Sequence, residues 1–455
     1  MNILIKHVFN GFVAPPDTYI PQNSGQYETE LKQGILEEGT LCLVTGSSKT
    51  GKTSLYRRVL DQLGRTPIRV SCNASLKPEE FWSHPLERLD FSRLKSKETG
   101  STITLGGTTS GSGSLGWEWL GKITATVTAT ASKADAEKEV KEAILAKPSP
   151  SHLIPLLKQS NAVLVVEDFH YLTEETQREI FQQWKLFTDN EISVIVVGTT
   201  HHGVDLANAN ADLVGRIRHI ELGRWSDSDL QSIALRGLKK LSVVGPSEIA
   251  SLISKESAGL PILVQQACAQ LFHDRNLQEW NSEDPIKFST DDAKRALHHV
   301  AVQRYKAFES WYNKLVYGPR KKARKYDTYQ LILALFTQDP PTFSLRRDEI
   351  EARLKKAGIA ASEMPPPASV TSTLSALDGF QKRNNFELLE WSKSDSTVYI
   401  LVPSFLFYLR WREDKSASNI GDIFELLMRL ARGVKATAKA AADASVDKGK
   451  GGDNR

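Results

Sequence analysis

Short, nearly unbroken apolar runs alternate with stretches of helical period along the first half of the chain. Residues 41–45 predict a buried strand, and 52–63 a helix with Leu55, Val59 and Leu63 on one stripe. The run PIRVSC (67–72) predicts a second strand, followed by a helical stretch from about Glu79 to Phe91. NAVLVVED (161–168) reads as a third strand, as continuously apolar as one covered on both faces should be. A helix over 173–187 comes next, then strands at SVIVVG (193–198) and RHIEL (218–222). Strands in alternation with helices predict an α/β fold, a parallel sheet covered by helices.

Two segments interrupt that rhythm. Residues 97–135 are rich in Gly, Ser and Thr, and within them ITATVTATA (123–131) alternates as a strand with one polar face. This insertion reads as a plain surface excursion, as a partner-binding or oligomerisation hairpin exposing Trp117 and Trp119, or as a membrane-inserting hairpin. From 433 the tail lacks aromatic residues and reads as disordered. Between these, 227–300 predicts helices only. Residues 326–412 predict helices at 326–337, 346–357 and 369–377, then strands at 386–391 and 398–402, which is the winged-helix pattern. The expected domains are therefore a core over 1–226 with its insertion and a helical lid over 227–318. A basic linker with a winged helix over 319–412 follows, then a C-terminal helix and tail over 413–455.

Composition narrows the function classes. At 455 residues two or three domains are expected, and 40% apolar with 25% charged residues is a globular balance. The net charge of +4 permits a nucleic-acid partner without requiring one. Cys42, Cys72 and Cys268 are odd in number and far apart, which predicts buried reduced thiols in a cytoplasmic setting. The pairs His201-His202 and His298-His299 have no zinc-type spacing and read as surface or loop residues. The N-terminal stretch MNILIKHVFNGFVAPP does not read as a signal peptide, and the apolar runs are too short to span a membrane as helices.

The chemistry concentrates at residues 45–55, TGSSKTGKTSL. GSSKTGKT fits GxxxxGK[ST], placed after a strand and opening a helix, as a phosphate-binding P-loop must be. Gly46 and Gly51 let the backbone curl around phosphate oxygens; Ser47, Ser48, Lys49, Thr50 and Ser54 complete the cofactor-binding stretch. Lys52 is expected at the β- and γ-phosphates and the Thr53 hydroxyl on magnesium. A neighbouring strand should end in a carboxylate that holds the metal or polarises water. Glu167 and Asp168 end VLVVED, with Glu167 the candidate metal ligand and Asp168 the candidate base; the reverse assignment stays open. Thr199 or Thr200, after the next strand, could orient the attacked water. Arg216, with Arg218 as rival, could reach a neighbouring subunit's γ-phosphate as an arginine finger.

The series P-loop, VVED, VVGTT, Arg216 and helical lid resembles the AAA+ and STAND branch of P-loop ATPases. In particular it resembles origin-recognition-like and transposition-helper ATPases with a C-terminal winged helix, over roughly residues 10–410. SAGLPILVQQACAQL (257–271) resembles the STAND GxP element, which implies that Pro261 packs near the nucleotide. Three departures stand out. The acids run Glu then Asp instead of Asp then Glu, Ile262 occupies the place of a sensing arginine, and TYIPQ (18–22) stands where a Gly-Arg element is usual. The shorter base implies slow turnover. The resemblance implies ATP and Mg2+ as cofactors and an ATP-dependent switch or assembly ATPase that associates with itself. The basic run at 320–325 and the winged helix point to duplex DNA through its phosphates. The alternative is a signalling or anti-invader defence adaptor whose winged helix docks a separate effector protein.

Overall fold

The computed structural model describes residues 2–12, 15–98, 148–199, 213, 215–317, 328–356 and 364–413. The expected strand at 123–131, Trp117, Trp119, Thr200, His201, His202, the basic run at 320–325 and the tail after 413 lie outside them. The strands in chain order are β1 (Asn2–Leu4), β2 (Leu41–Gly46), β3 (Thr66–Ser71), β4 (Ala162–Glu167) and β5 (Val194–Val197). They continue with β6 (Ile217–Leu222), β7 (Glu279–Asn281), β8 (Ser344–Arg346), β9 (Leu389–Ser392) and β10 (Thr397–Ile400).

Residues Pro21–Arg224 form one unit around a parallel sheet of order β3-β4-β5-β2-β6. Its alternation divides the side chains between two layers. Cys42, Val44, Val163, Val165, Ile195 and Val197 meet Leu31 and Ile35 of helix Gln26–Leu36 and Leu55, Tyr56, Val59 and Leu60 of helix Lys52–Gln62. On the opposite face Leu41, Leu43, Leu164, Val166, Val194 and Val196 cluster with Phe81, Trp82, Leu153, Phe181 and Trp184. Both faces are covered, which is why these strands read as continuous apolar runs. The α/β fold is as the sequence predicts. The single helix expected over 173–187 is instead two, Glu174–Gln183 and Lys185–Asp189, which meet at the buried Trp184. Thr173 caps the first of these by accepting from the Thr176 N–H.

Residues Met1–Ile20 and Trp225–Arg455 make up the second unit. The first twenty residues, expected in the core domain, therefore pack with the C-terminal part. Phe9 is their anchor: a Cβ on Gly237 would sit 2.2 Å from its ring, so only glycine leaves the ring its place. The stretch 227–300 is not helical throughout. β7 pairs antiparallel with β1, Ile3 opposite Trp280, a partner too far away in sequence for local period to reveal. Helices Asp227–Lys240, Pro246–Glu256, Pro261–His273 and Thr290–Arg304 form the rest of that region. Ser226 caps the first, and Ser289 with Asp292 forms a capping box on the last.

Toward the C-terminus, helices Thr328–Thr337, Arg347–Lys356 and Pro367–Ser375 accompany an antiparallel sheet of order β8-β10-β9. The sheet has three strands where two were expected; β8, only three residues long, carries no period of its own. A further helix, Leu377–Arg383, follows the third helix. Its buried Gln381 accepts from the Leu388 and Leu389 N–H groups at 2.9 and 3.1 Å and fixes where β9 begins. Val370, Leu374 and Leu377 are buried, while Ser372 and Ser375 are exposed.

One ion pair ties the helical part of this unit to its C-terminal part. Arg410 holds Glu256 with two nitrogens, one at 2.7 Å, and both side chains are 12% exposed. The same guanidinium donates to Thr337 O at 2.8 Å and meets Asp339 at 2.7 Å, while Trp411 Nε1 donates to Glu256 at 2.9 Å. Arg410→Ala would leave Glu256 buried without a counter-charge. A loss of about 3–5 kcal/mol is expected in urea unfolding; a change within error would mean that the pair adds nothing.

Candidate functional site

Between β2 and helix Lys52–Gln62 the backbone takes the left-handed region three times: Gly46 at φ 145°, Lys49 at 70° and Gly51 at 103°. A Cβ on Gly46 would lie 2.6 Å from Leu222 O and 3.0 Å from Thr50 Oγ1, so the loop closes only with glycine there. Lys49 is not glycine, and holding it left-handed costs on the order of 1–2 kcal/mol. Thr50 Oγ1 donates to Ser47 O at 2.9 Å and tightens the turn. Ser48 and Lys49 are exposed at the rim; Ser47 and Ser54 are half-buried.

Lys52 opens the helix, and its ammonium donates to Gly46 O at 2.7 Å and Ser47 O at 2.8 Å. Burial pushes its pKa down to about 8, with the Asp168 carboxylate pulling the other way. A cation thus desolvated beside carbonyl dipoles is stabilised by any anion that reaches it. The helix N-terminus adds its partial positive charge to the same place.

The two acids part company at the end of β4. Val163 and Val165 face the P-loop helix, so Glu167 takes that face as well. Its Oε1 accepts from Thr53 Oγ1 at 3.3 Å and from Tyr56 OH at 2.9 Å. Asp168 leaves the strand at φ 60° and starts the turn Phe169–Tyr171. Thr199, half-buried, follows β5, which lies between β4 and the P-loop strand β2. Strand order therefore brings the loop, Glu167, Asp168 and Thr199 to one edge of the sheet, outside the carboxyl ends of its strands.

Two candidates are differently placed. Arg216 lies just before β6, half-exposed, holding Asp189 at 2.8 Å and Thr188 Oγ1 at 3.1 Å. Its rival Arg218 pairs with Glu37 at 2.5 Å. Pro261 opens helix Pro261–His273 after Gly259 at φ 72°, in the second unit. The described histidines of the second pair make ordinary contacts, His298 with Trp411 O and His299 with Asp274. All three cysteines are free and buried. Sequence reasoning missed Tyr56; its spacing of three from Thr53 on a helix was the available signal.

The donors suit a small hard cation. A hydroxyl and a carboxylate lie within hydrogen-bond reach at the mouth of an anion cradle, and magnesium takes few protein ligands, keeping waters and phosphate oxygens. Among the described residues no cluster of three or more His, Cys, Asp or Glu could hold a metal alone. Residues 35–202, the span from the end of helix Gln26–Leu36 to just past β5, match the family model described as an AAA domain. The chain carries a P-loop ATPase domain of the AAA type.

No curated protein matches the sequence. Among solved structures, the Walker-type ATPase PABY2304 of Pyrococcus abyssi is 14% identical, with 85% of this chain and 95% of that one covered at a TM-score of 0.47. Cdc6p from Pyrobaculum aerophilum is 11% identical, covering 90% and 99% at 0.40. The Aeropyrum pernix ORC1 protein, solved in complex with DNA, is 12% identical, covering 91% and 97% at 0.38. Likenesses this distant carry no weight for function, which rests on the residues of this ATPase domain. No described helix is long and apolar enough to cross a membrane.

Lys52→Ala removes the half-buried ammonium that lies against the Gly46 and Ser47 carbonyls. The ATPase domain should then lose most of its nucleotide affinity in a titration with a fluorescent ATP analogue. Equal affinity in wild type and variant would show that Lys52 does not meet the phosphates.

Proposed function

We propose that this chain is an ATP-dependent molecular switch or assembly ATPase that binds Mg-ATP, hydrolyses it slowly and couples nucleotide state to self-association. The observation that carries the reading is the convergence of a desolvated lysine, a threonine hydroxyl and a strand-end glutamate beside the P-loop. The metal would be held by Thr53 and Glu167, and it would neutralise charge that develops on the phosphates. Lys52 draws the phosphate oxygens into the loop. Asp168, turned out of the strand, accepts the proton of the attacking water, and Thr199 orients that water. An aspartate has a shorter reach than a glutamate in that role, which supports slow turnover.

Arg216 acts across a subunit boundary in this reading. Its half-exposed guanidinium exchanges the exposed Asp189 for a neighbour's phosphate, an exchange that costs little because surface pairs contribute roughly 0–1 kcal/mol. Pro261, at the start of its helix, reports nucleotide state to the helical region. The C-terminal helices and three-stranded sheet act as a winged helix. Arg346, Arg347, Lys355 and Lys356 are exposed there, and the 320–325 run adds five basic residues. Its third helix offers exposed Ser372 and Ser375 and no lysine or arginine, which favours phosphate contacts over guanine readout.

Asp168→Asn should retain nucleotide and lose phosphate release, because only the carboxylate accepts a proton. Unchanged release would move the base to Glu167 or elsewhere. Reversing Lys321, Lys322 and Arg324 to glutamate should weaken duplex DNA binding alike for all sequences. It should also flatten the salt dependence by about one unit per lost phosphate contact. A wild-type protein that shifts no duplex at low salt with ATP present would instead favour an effector-protein partner.

A further inference from the structure

Helix Lys52–Gln62 carries two hydroxyls that end on one atom. Thr53 and Tyr56 are three residues apart, so both side chains lie over the same end of β4, and both donate to Glu167 Oε1, at 3.3 and 2.9 Å. Tyr56 is wholly buried among Leu55, Val59 and Leu60, and a buried phenol O–H needs an acceptor. Glu167 supplies it. Glu167 Oε2 has no hydrogen-bond partner among the described residues, while Oε1 is held twice.

A glutamate has one more rotatable bond than an aspartate, and fixing it costs side-chain entropy whenever it must hold one place. The phenol meets that cost within the folded core, before any ligand arrives. We propose that Tyr56 is a positioning residue: its hydroxyl pins Glu167 Oε1 and presents Oε2 to the magnesium of Mg-ATP. The proposal rests on the assignment of Thr53 and Glu167 to the metal. Tyr56 itself touches neither metal nor nucleotide; it acts through Glu167. A phenylalanine at 56 would keep the ring packed in the core while losing only the tether.

The test separates metal from nucleotide. A fluorescent ATP analogue is titrated in EDTA onto wild type and Tyr56→Phe, and Mg2+ is then titrated onto each protein–analogue complex. Affinity in EDTA should be equal, and the Mg2+ midpoint of Tyr56→Phe should rise by about tenfold, as for other partners that orient a metal-binding side chain. An unchanged midpoint would overturn the proposal, and so would equal losses with and without Mg2+, which would make Tyr56 a packing residue only. A double-mutant cycle with Glu167→Asp adds a second criterion. The shorter carboxylate cannot hold the phenol and a metal together, so Tyr56→Phe should have no further effect in that background. If wild type fails to bind the analogue in EDTA or in Mg2+, the nucleotide reading itself fails, an outcome distinct from a midpoint that does not move.

Discussion

Strand β4 has a period of two, and the division of labour at the site follows from which face its last residue takes. Because Val163 and Val165 pack against the P-loop helix, Glu167 must point there also. It meets Thr53 and Tyr56 and cannot at the same time serve the opposite layer. Asp168, one residue on, is off that face by alternation and leaves the strand altogether as the chain turns left-handed at its Cα. Two adjacent acids thus receive different neighbours from backbone geometry alone.

The loop opposite them is built at some conformational cost. Lys49 is held at a positive φ, and Lys52 keeps its ammonium where burial disfavours charge, opposed by Asp168. Neither feature improves the fold, and such strain persists where the surroundings enforce it and function uses it. The start of the loop is fixed by β2 and β6, since Gly46 fits against Leu222 O with no space for a side chain.

Much of this was legible in the sequence. The strands were visible because a doubly covered sheet demands unbroken apolar runs, and the P-loop because few residue types tolerate its backbone. Glu167 was visible as a strand-end acid, though its sequence neighbour was equally so. Which acid faces the helix depends on register, and the run Ala162–Val166 is apolar on both faces and hides its own parity. Tyr56 was illegible for a related reason: on a helix stripe an aromatic residue reads as core, and core it is, apart from one oxygen. The β1–β7 pairing joins residues some 277 apart, beyond any local pattern. The break at Trp184 escaped because the buried stripe Ile180, Phe181, Trp184 and Phe187 runs through it at helical spacing, and Trp184 itself keeps helical angles at φ −66° and ψ −20°.

In the second unit the contacts that matter are likewise distant in sequence. Arg410 and Glu256 find each other across 154 positions, and Phe9 finds its slot beside Gly237. For the ATPase domain, the claim on which the rest depends is that β4 gives Glu167 to the metal and Asp168 to the water. Mn2+ binding, followed by electron paramagnetic resonance in the presence of ATP, tests it most directly. Glu167→Gln should weaken Mn2+ binding by about 10–100-fold while Asp168→Asn leaves it near wild type. The reverse order, with Asp168→Asn losing the ion and Glu167→Gln keeping it, would contradict the account.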